Sequence, residues 1–262
     1  MNKIYLVATI GPDFRLLPKF IKYYKNLGVT DFLILLNTSD QAPLSILKYF
    51  DIVPEKIWVE KFSETLKQKY EREIVEKNCT DHDWVVYADL DEFQYYPMGF
   101  MNYITLCEIK GVDFLEGRLV DRLSESGELI DLDESKSLEE QFPLRGYITN
   151  NLLKAWDKKI VCAKGNLVVG GGHHIFLDRT TYKTLPYDTD LNEYSQSIEI
   201  HHFKWDTRAL SRMSNYLLLP DDSLAAWRAE ISRFLSHYSK HNRIDISDKK
   251  FKIEKNKHSI NI

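Results

Sequence analysis

Over its first 95 residues the chain alternates short apolar runs with stretches of helical periodicity, and this alternation constrains the fold more than any other feature. Lys3 to Ile10 is a β-rich run that ends in the loop signal Thr9-Ile10-Gly11-Pro12. Leu17, Phe20, Ile21, Tyr24 and Leu27 then recur at helical spacing within Leu16 to Leu27, and Gly28 supplies the stop. Phe32 to Leu36 reads as a buried strand closed by the turn-rich Asn37-Thr38-Ser39-Asp40, Pro43 to Phe50 as a helix, and Lys56 to Phe62 as a strand. Thr65 to Lys77 is a polar helix carrying Gln68, Lys69 and Arg72, and Val85 to Ala88 is a fourth short, buried strand. The order βαβαβαβ with short connections predicts an α/β fold with a doubly wound, mostly parallel, Rossmann-like sheet.

The fourth strand runs into three carboxylates, Asp89, Asp91 and Glu92. In open α/β sheets ligands sit beyond the carboxyl ends of the strands, so acids placed there face a crevice. Two aspartates at i and i+2 can offer oxygen ligands to one divalent cation, which in turn can carry a diphosphate. Acidic clusters at strand ends are also common without any metal, so the spacing by itself leaves both readings open. The first βα turn, Thr9 to Phe14, has no Gly-x-Gly-x-x-Gly, and no Gly-x-x-x-x-Gly-Lys-Ser/Thr occurs anywhere, which disfavours a dinucleotide fold and a P-loop.

Beyond residue 95 the alternation fades. Met101 to Lys110 reads as a helix, and Asp113 to Leu119 as a strand entering Val120-Asp121-Arg122. Residues 124–140 carry seven acids against one lysine, which reads as a mobile, solvated loop with a short helix near Ser137 to Gln141, and alternatively as a lid. Lys159 to Cys162, Leu167 to Val169 and Ile198 to Trp205 read as strands. A last amphipathic helix starts at Pro220-Asp221-Asp222, with Leu224, Trp227, Ile231, Phe234, Leu235 and Tyr238 on its apolar face. The tail from Lys240 holds seven Lys/Arg against three acids and is expected to be disordered or loosely packed, with weak membrane-surface contact as a distant alternative.

At 262 residues the chain fits one large domain with a substantial core. A formal charge of −4 argues against a surface that grips nucleic acid. Nothing approaches eighteen continuous apolar residues, so no transmembrane segment is expected, and the seven-residue run Ile4 to Ile10 reads as a strand rather than a secretory signal. Cys79, Cys107 and Cys162 are scattered and lack Cys-x-x-Cys spacing, which makes a reducing, cytoplasmic setting the default.

Three further stretches carry chemistry. In Ser197-Ile198-Glu199-Ile200-His201-His202-Phe203-Lys204-Trp205 an alternating strand points His201 and His202 to opposite faces, so at most one reaches a given site. That histidine would complete a metal sphere, Lys204 would meet phosphate and Trp205 would stack on a ring; the competing reading is a core histidine and packed aromatics. Gly170-Gly171-Gly172 before His173-His174 lacks the following helix of a phosphate cradle and reads as a loop at the rim of a site, with either histidine touching substrate. Asp121 is a candidate general base, or else half of an ion pair with Arg122.

Taken together these segments resemble a known family. Asp83 to Phe93 is similar to the Asp-x-Asp-Glu-Phe signature of glycosyltransferases related to families 2 and 92. Residues 17–29, Phe32 to Leu36 and Asn37 to Asp40 match its opening, and the likeness continues through Gly117 to Arg122, Glu140 to Pro143, Gly172 to His174 and His201 to Trp205. The resemblance implies a single GT-A domain over residues 1–240, with a nucleotide-binding half (1–95), an irregular acceptor-side half (96–240) with a C-terminal helix, and a basic tail (241–262). It implies a UDP- or GDP-sugar donor, a glycan or other hydroxyl acceptor, and Mn²⁺ or Mg²⁺ bridging Asp91 to the diphosphate. By the same resemblance Thr9 and Asp40 lie by the nucleotide base, Asp89 meets ribose or metal, one of His201 and His202 approaches metal or phosphate, and Asp121 is the inverting base. Gln68, Arg72 and Lys204 are expected to join the donor site, and His173, His174 and Trp205 the substrate site. A metal-dependent nucleotidyltransferase or phosphohydrolase using the same acids, and a degenerate nucleotide-sugar-binding module, are the rivals.

Overall fold

The computed structural model describes residues 2–176, 198–218 and 225–257. In chain order the elements are β1 (Ile4–Ile10), α1 (Leu17–Leu27), β2 (Asp31–Asn37), α2 (Ala42–Tyr49), β3 (Lys56–Trp58), α3 (Glu64–Asn78), β4 (Trp84–Tyr87), β5 (Glu92–Tyr95) and α4 (Phe100–Lys110). Then follow β6 (Phe114–Leu123), α5 (Leu138–Gln141), β7 (Leu144–Gly146), β8 (Lys158–Lys164), β9 (Glu199–His202), α6 (Ala209–Leu217), α7 (Ala225–His241) and β10 (Glu254–Lys255). The chain divides into two compact units, residues 1–118 with 158–199 and residues 119–157 with 200–262. The division therefore falls inside β6 and β9 and not at residue 95.

In the first unit the strands lie in the order β3-β2-β1-β4-β8-β6. β1 pairs parallel with β2 (Tyr5 opposite Asp31, Ile10 opposite Leu36) and with β4 (Ile4 opposite Trp84, Val7 opposite Tyr87), and β2 pairs parallel with β3. β8 then joins antiparallel to β4, and the first half of β6 joins antiparallel to β8. β4 is buried on both faces, which is why it reads as an unbroken apolar run. The α/β expectation holds, with the sheet parallel through its N-terminal half. Helix α1 forms where its apolar residues recur at helical spacing; Leu17, Phe20, Ile21 and Tyr24 are buried, and Gly28 at φ 113° closes it. The chain winds outward from β1 to β3, then crosses back by α3 to place β4 on the other side of β1. The strand order reverses between β1 and β4, so the carboxyl ends of these two strands bound a crevice.

Several boundaries differ from the sequence reading. β3 stops at Trp58 instead of Phe62, and Leu167 to Val169 forms no strand, only an isolated bridge from Val169 to Phe176. β5, β7, α6 and β10 were not expected. The start of the last helix at Pro220-Asp221-Asp222 lies outside the described residues.

The second unit pairs the latter half of β6 with β7, and β7 with β10, all antiparallel. Leu123, Leu144, Trp205, Phe234, Ile244 and Phe251 build its core. The basic tail is not loose: Ile244 and Phe251 are fully buried, and β10 is a paired strand. Each such side chain taken from water contributes about 1.5–3 kcal/mol, which outweighs the solvation of the lysines between them. The acidic loop is ordered by its own hydrogen bonds. Ser137 and Glu140 form a reciprocal cap on α5, and the Gln141 amide donates to the carbonyls of Asp133, Lys136 and Ser137. Among the described residues no helix is long and apolar enough to cross a membrane.

Gly165, which ends β8, tests this register. A Cβ there would collide with the Thr80 carbonyl oxygen and lie 2.8 Å from Cys79 Cβ. Gly165→Ala is expected to cost about 1–3 kcal/mol, read as a lower thermal midpoint, and an unchanged midpoint would contradict the close approach.

Candidate functional site

The Asp-x-Asp segment is a tight turn between β4 and β5. The Glu92 amide donates to the Asp89 carbonyl at 2.9 Å, and the Asp89 amide donates back to Glu92 Oε2 at 3.2 Å. Asp89 sits at the first position of the turn and Asp91 at its half-buried tip. This turn leaves the carboxyl end of β4, beside the end of β1 that carries Thr9.

Helix α3 supplies the wall. Its buried positions are Lys67, Glu71, Ile74 and Val75, so the apolar stripe of its second half continues as two charged residues in its first half. Lys67 Nζ donates to Asp89 Oδ1 at 2.6 Å, and Lys159 Nζ, from β8, donates to Asp89 Oδ2 at 2.7 Å and to Glu92 Oε1 at 2.6 Å. Burial would push the Asp89 carboxyl up, but Lys159 and Lys67 overcome it and hold it well below the usual carboxylate range. Burial likewise opposes the charged lysines, and Asp89 more than offsets it, raising both ammonium groups above their ordinary value.

Glu71 extends the network. Its Oε1 accepts from Thr9 Oγ1 at 2.8 Å and its Oε2 stands 3.2 Å from His173 Nε2. Burial works against its charge, and Lys67, His173 and Thr9 together hold it ionised. The glycine-rich loop reaches this wall: the Gly172 amide donates to Glu64 Oε1 at 2.9 Å, and His174 Nδ1 donates to the Lys158 carbonyl at 2.6 Å. Gly172 and His173 both adopt φ 61°, a left-handed conformation that costs a non-glycine residue about 1–3 kcal/mol. His173 is 1% exposed and packs against Tyr87, and its Nδ1 has no hydrogen-bond partner among the described residues.

The structure thus brings Thr9, Asp89, Glu92 and His173 into one network and adds Lys67, Glu71 and Lys159, which sequence reasoning did not single out as a site. Asp40 instead receives the Ala42 amide at the start of α2, and Arg72 is solvent-facing and paired with Glu76 at 2.6 Å. Gln68 is half-buried on α3, with its Oε1 near Gly171. The expected metal set of Asp89, Asp91 and a histidine is not assembled among the described residues. No three His, Cys, Asp or Glu side chains stand together as ligands there, and both Asp89 oxygens accept from ammonium groups.

The second unit holds the other candidates. Asp121 is fully buried, and its oxygens accept from the Thr149 amide (2.7 Å), Thr149 Oγ1 (2.8 Å) and Trp205 Nε1 (2.8 Å). His202 Nδ1 stands 3.6 Å from Asp121 Oδ1. Burial raises the Asp121 carboxyl, and His202 and Lys204 bring it below its ordinary value. Asp121 is an anchor for the strand and the following π-turn at Thr149–Leu153, not half of an ion pair with Arg122. Arg122 is itself buried, donating to His201 Nδ1 (2.8 Å) and to the Phe142 carbonyl (2.6 Å). Trp205 is fully buried against Phe234, so its ring is core, and Lys204 lies over that ring at 4.9 Å.

No known protein family and no curated protein matches the chain. Among solved structures it is similar to a 4-diphosphocytidyl-2C-methyl-D-erythritol synthase (12% identity, 63% of this chain and 76% of that one, TM-score 0.36). A CMP:2-keto-3-deoxy-manno-octonic acid synthetase complexed with CTP overlaps 90% of this chain and 86% of its own at 12% identity and TM-score 0.35. HddC from Yersinia pseudotuberculosis overlaps 78% and 90% at 11% identity and TM-score 0.32. Overlaps of this size leave the activity of this chain to its own geometry.

Two outcomes follow from the network. Lys159→Met strands Asp89 and Glu92 and is expected to cost about 3–5 kcal/mol, whereas Lys159→Met with Glu92→Leu is expected to cost less, as urea melts would show. The depressed Asp89 carboxyl contributes stability at neutral pH that is lost as pH falls below about 4, and the raised lysines contribute stability that is lost only above about pH 10.4. Lys159→Met should therefore weaken the fall of the thermal midpoint on the acid side.

Proposed function

We propose that the chain is a glycosyltransferase that takes a sugar from a nucleotide-sugar donor to an acceptor hydroxyl by a single, inverting displacement. The observation that carries this reading is the turn Asp89-Leu90-Asp91-Glu92 at the topological switch point, where a doubly wound sheet binds its ligand. Thr9 and Asp89 stand where the nucleoside would lie, with Asp89 offering carboxylate oxygen to ribose hydroxyls. Lys67 and Lys159 fix that carboxylate in one orientation, so little ordering remains to be done when a donor arrives. In the reaction the acceptor oxygen forms a bond to the anomeric carbon, the bond from that carbon to the diphosphate breaks, and the hydroxyl proton passes to a base.

The same acids would serve a nucleotidyltransferase, and the product separates the two. Incubation with UDP- and GDP-sugars is expected to release the nucleoside diphosphate, and Asp89→Asn is expected to lower that rate by roughly 10²-fold or more. Pyrophosphate release from a nucleoside triphosphate and a sugar phosphate, with no turnover of nucleotide sugars, would instead establish nucleotidyl transfer.

A further inference from the structure

We propose that His173 is the proton acceptor of this site, held in the required tautomer by Glu71; the assignment rests on the transferase reading above. Glu71 is ionised and can only accept a hydrogen bond, so the neutral imidazole carries its proton on Nε2, which stands 3.2 Å from Glu71 Oε2. The lone pair is then on Nδ1, the buried nitrogen without a partner among the described residues. Leaving such a group unpaired costs about 1–3 kcal/mol, and a left-handed backbone at the same residue adds to the cost. Both costs fall on the one histidine that a carboxylate orients from behind, the arrangement that activates a general base.

The local charge points the same way. Glu71, Asp89 and Glu92 share the ammonium groups of Lys67 and Lys159, so the network is one positive charge short of balance. A proton on Nδ1 supplies that charge. The groups around the imidazole are Glu64, Lys67 and Glu71 from α3, Tyr87 and Asp89 from β4 and the turn after it, Lys159 from β8, Thr9 from β1, and His174 on its own loop. In the step itself the acceptor hydroxyl gives its proton to Nδ1 as its oxygen attacks the anomeric carbon. The electron pair of the broken bond leaves with the nucleoside diphosphate, and the imidazolium later returns its proton to solvent.

The test joins a structural readout to a kinetic one. Ring-nitrogen NMR of ¹⁵N-histidine protein, assigned with His173→Gln, is expected to show the Nε2–H tautomer at neutral pH; the Nδ1–H tautomer overturns the proposal. His173→Ala should lose roughly 10²–10⁴-fold in rate, keep its affinity for UDP or GDP in calorimetry, and recover activity with added imidazole. If His173→Ala does not fold, His173→Gln carries the test. A folded variant with unchanged rate overturns the role and leaves the transferase reading standing. Loss of nucleotide affinity in step with activity assigns His173 to binding and also overturns it. A wild type with the Nε2–H tautomer that turns over no nucleotide sugar overturns the transferase reading, and this role with it.

Discussion

The first unit depends on keeping carboxylates charged where water is scarce. A buried ionised group is tolerated only when it is paired and hydrogen-bonded, and the attraction between partners roughly offsets what is lost by leaving water. Asp89 and Glu92 meet this condition through Lys67 and Lys159, which arrive from a helix and from an antiparallel strand on either side of β4. Such a network adds little net stability over an apolar core of the same shape. What it supplies is a carboxylate fixed in one orientation at the carboxyl end of β4.

The alternation of apolar runs made the N-terminal sheet legible, because strands buried on both faces and helices buried on one leave different periods in the sequence. The site was half legible. The strand-end acids stood out, but their partners did not, since Lys67 and Glu71 lie in a helix that looks uniformly polar. The signal was present: stepping back from Ile74 and Val75 by three and four residues reaches Glu71, and a further four reaches Lys67. Gln68 and Arg72 lie one position further round, and Arg72 faces solvent. Lys159 was hidden differently, inside a strand read only for its apolar residues.

In the second unit the strand faces alternate, and the outcome is close to the competing reading of a core histidine and packed aromatics. His201 and His202 do point apart, yet both are buried, because both faces of β9 are covered. Neighbouring residues on β6 meet them in the same alternation, Arg122 against His201 and Asp121 near His202. A short motif of two histidines and a tryptophan therefore serves packing here, where a resemblance had suggested ligands. Nothing in the local sequence distinguishes the two cases, because the deciding partners lie some eighty positions earlier in the chain.

The discontinuity of the first unit bears on how the chain assembles. β1 to β4 follow one another closely, so their pairing closes only short loops, while β8 joins only after residues 119–157 have gone into the other unit. Closing that longer loop carries a larger entropic cost and comes later. Lys159 travels with β8, so until that strand docks the acids after β4 lack one of their two cations. Mutual repulsion then keeps the turn open and hydrated, and the half-formed sheet is discouraged from collapsing around it. Docking of β8 brings the charge that allows the centre to dry.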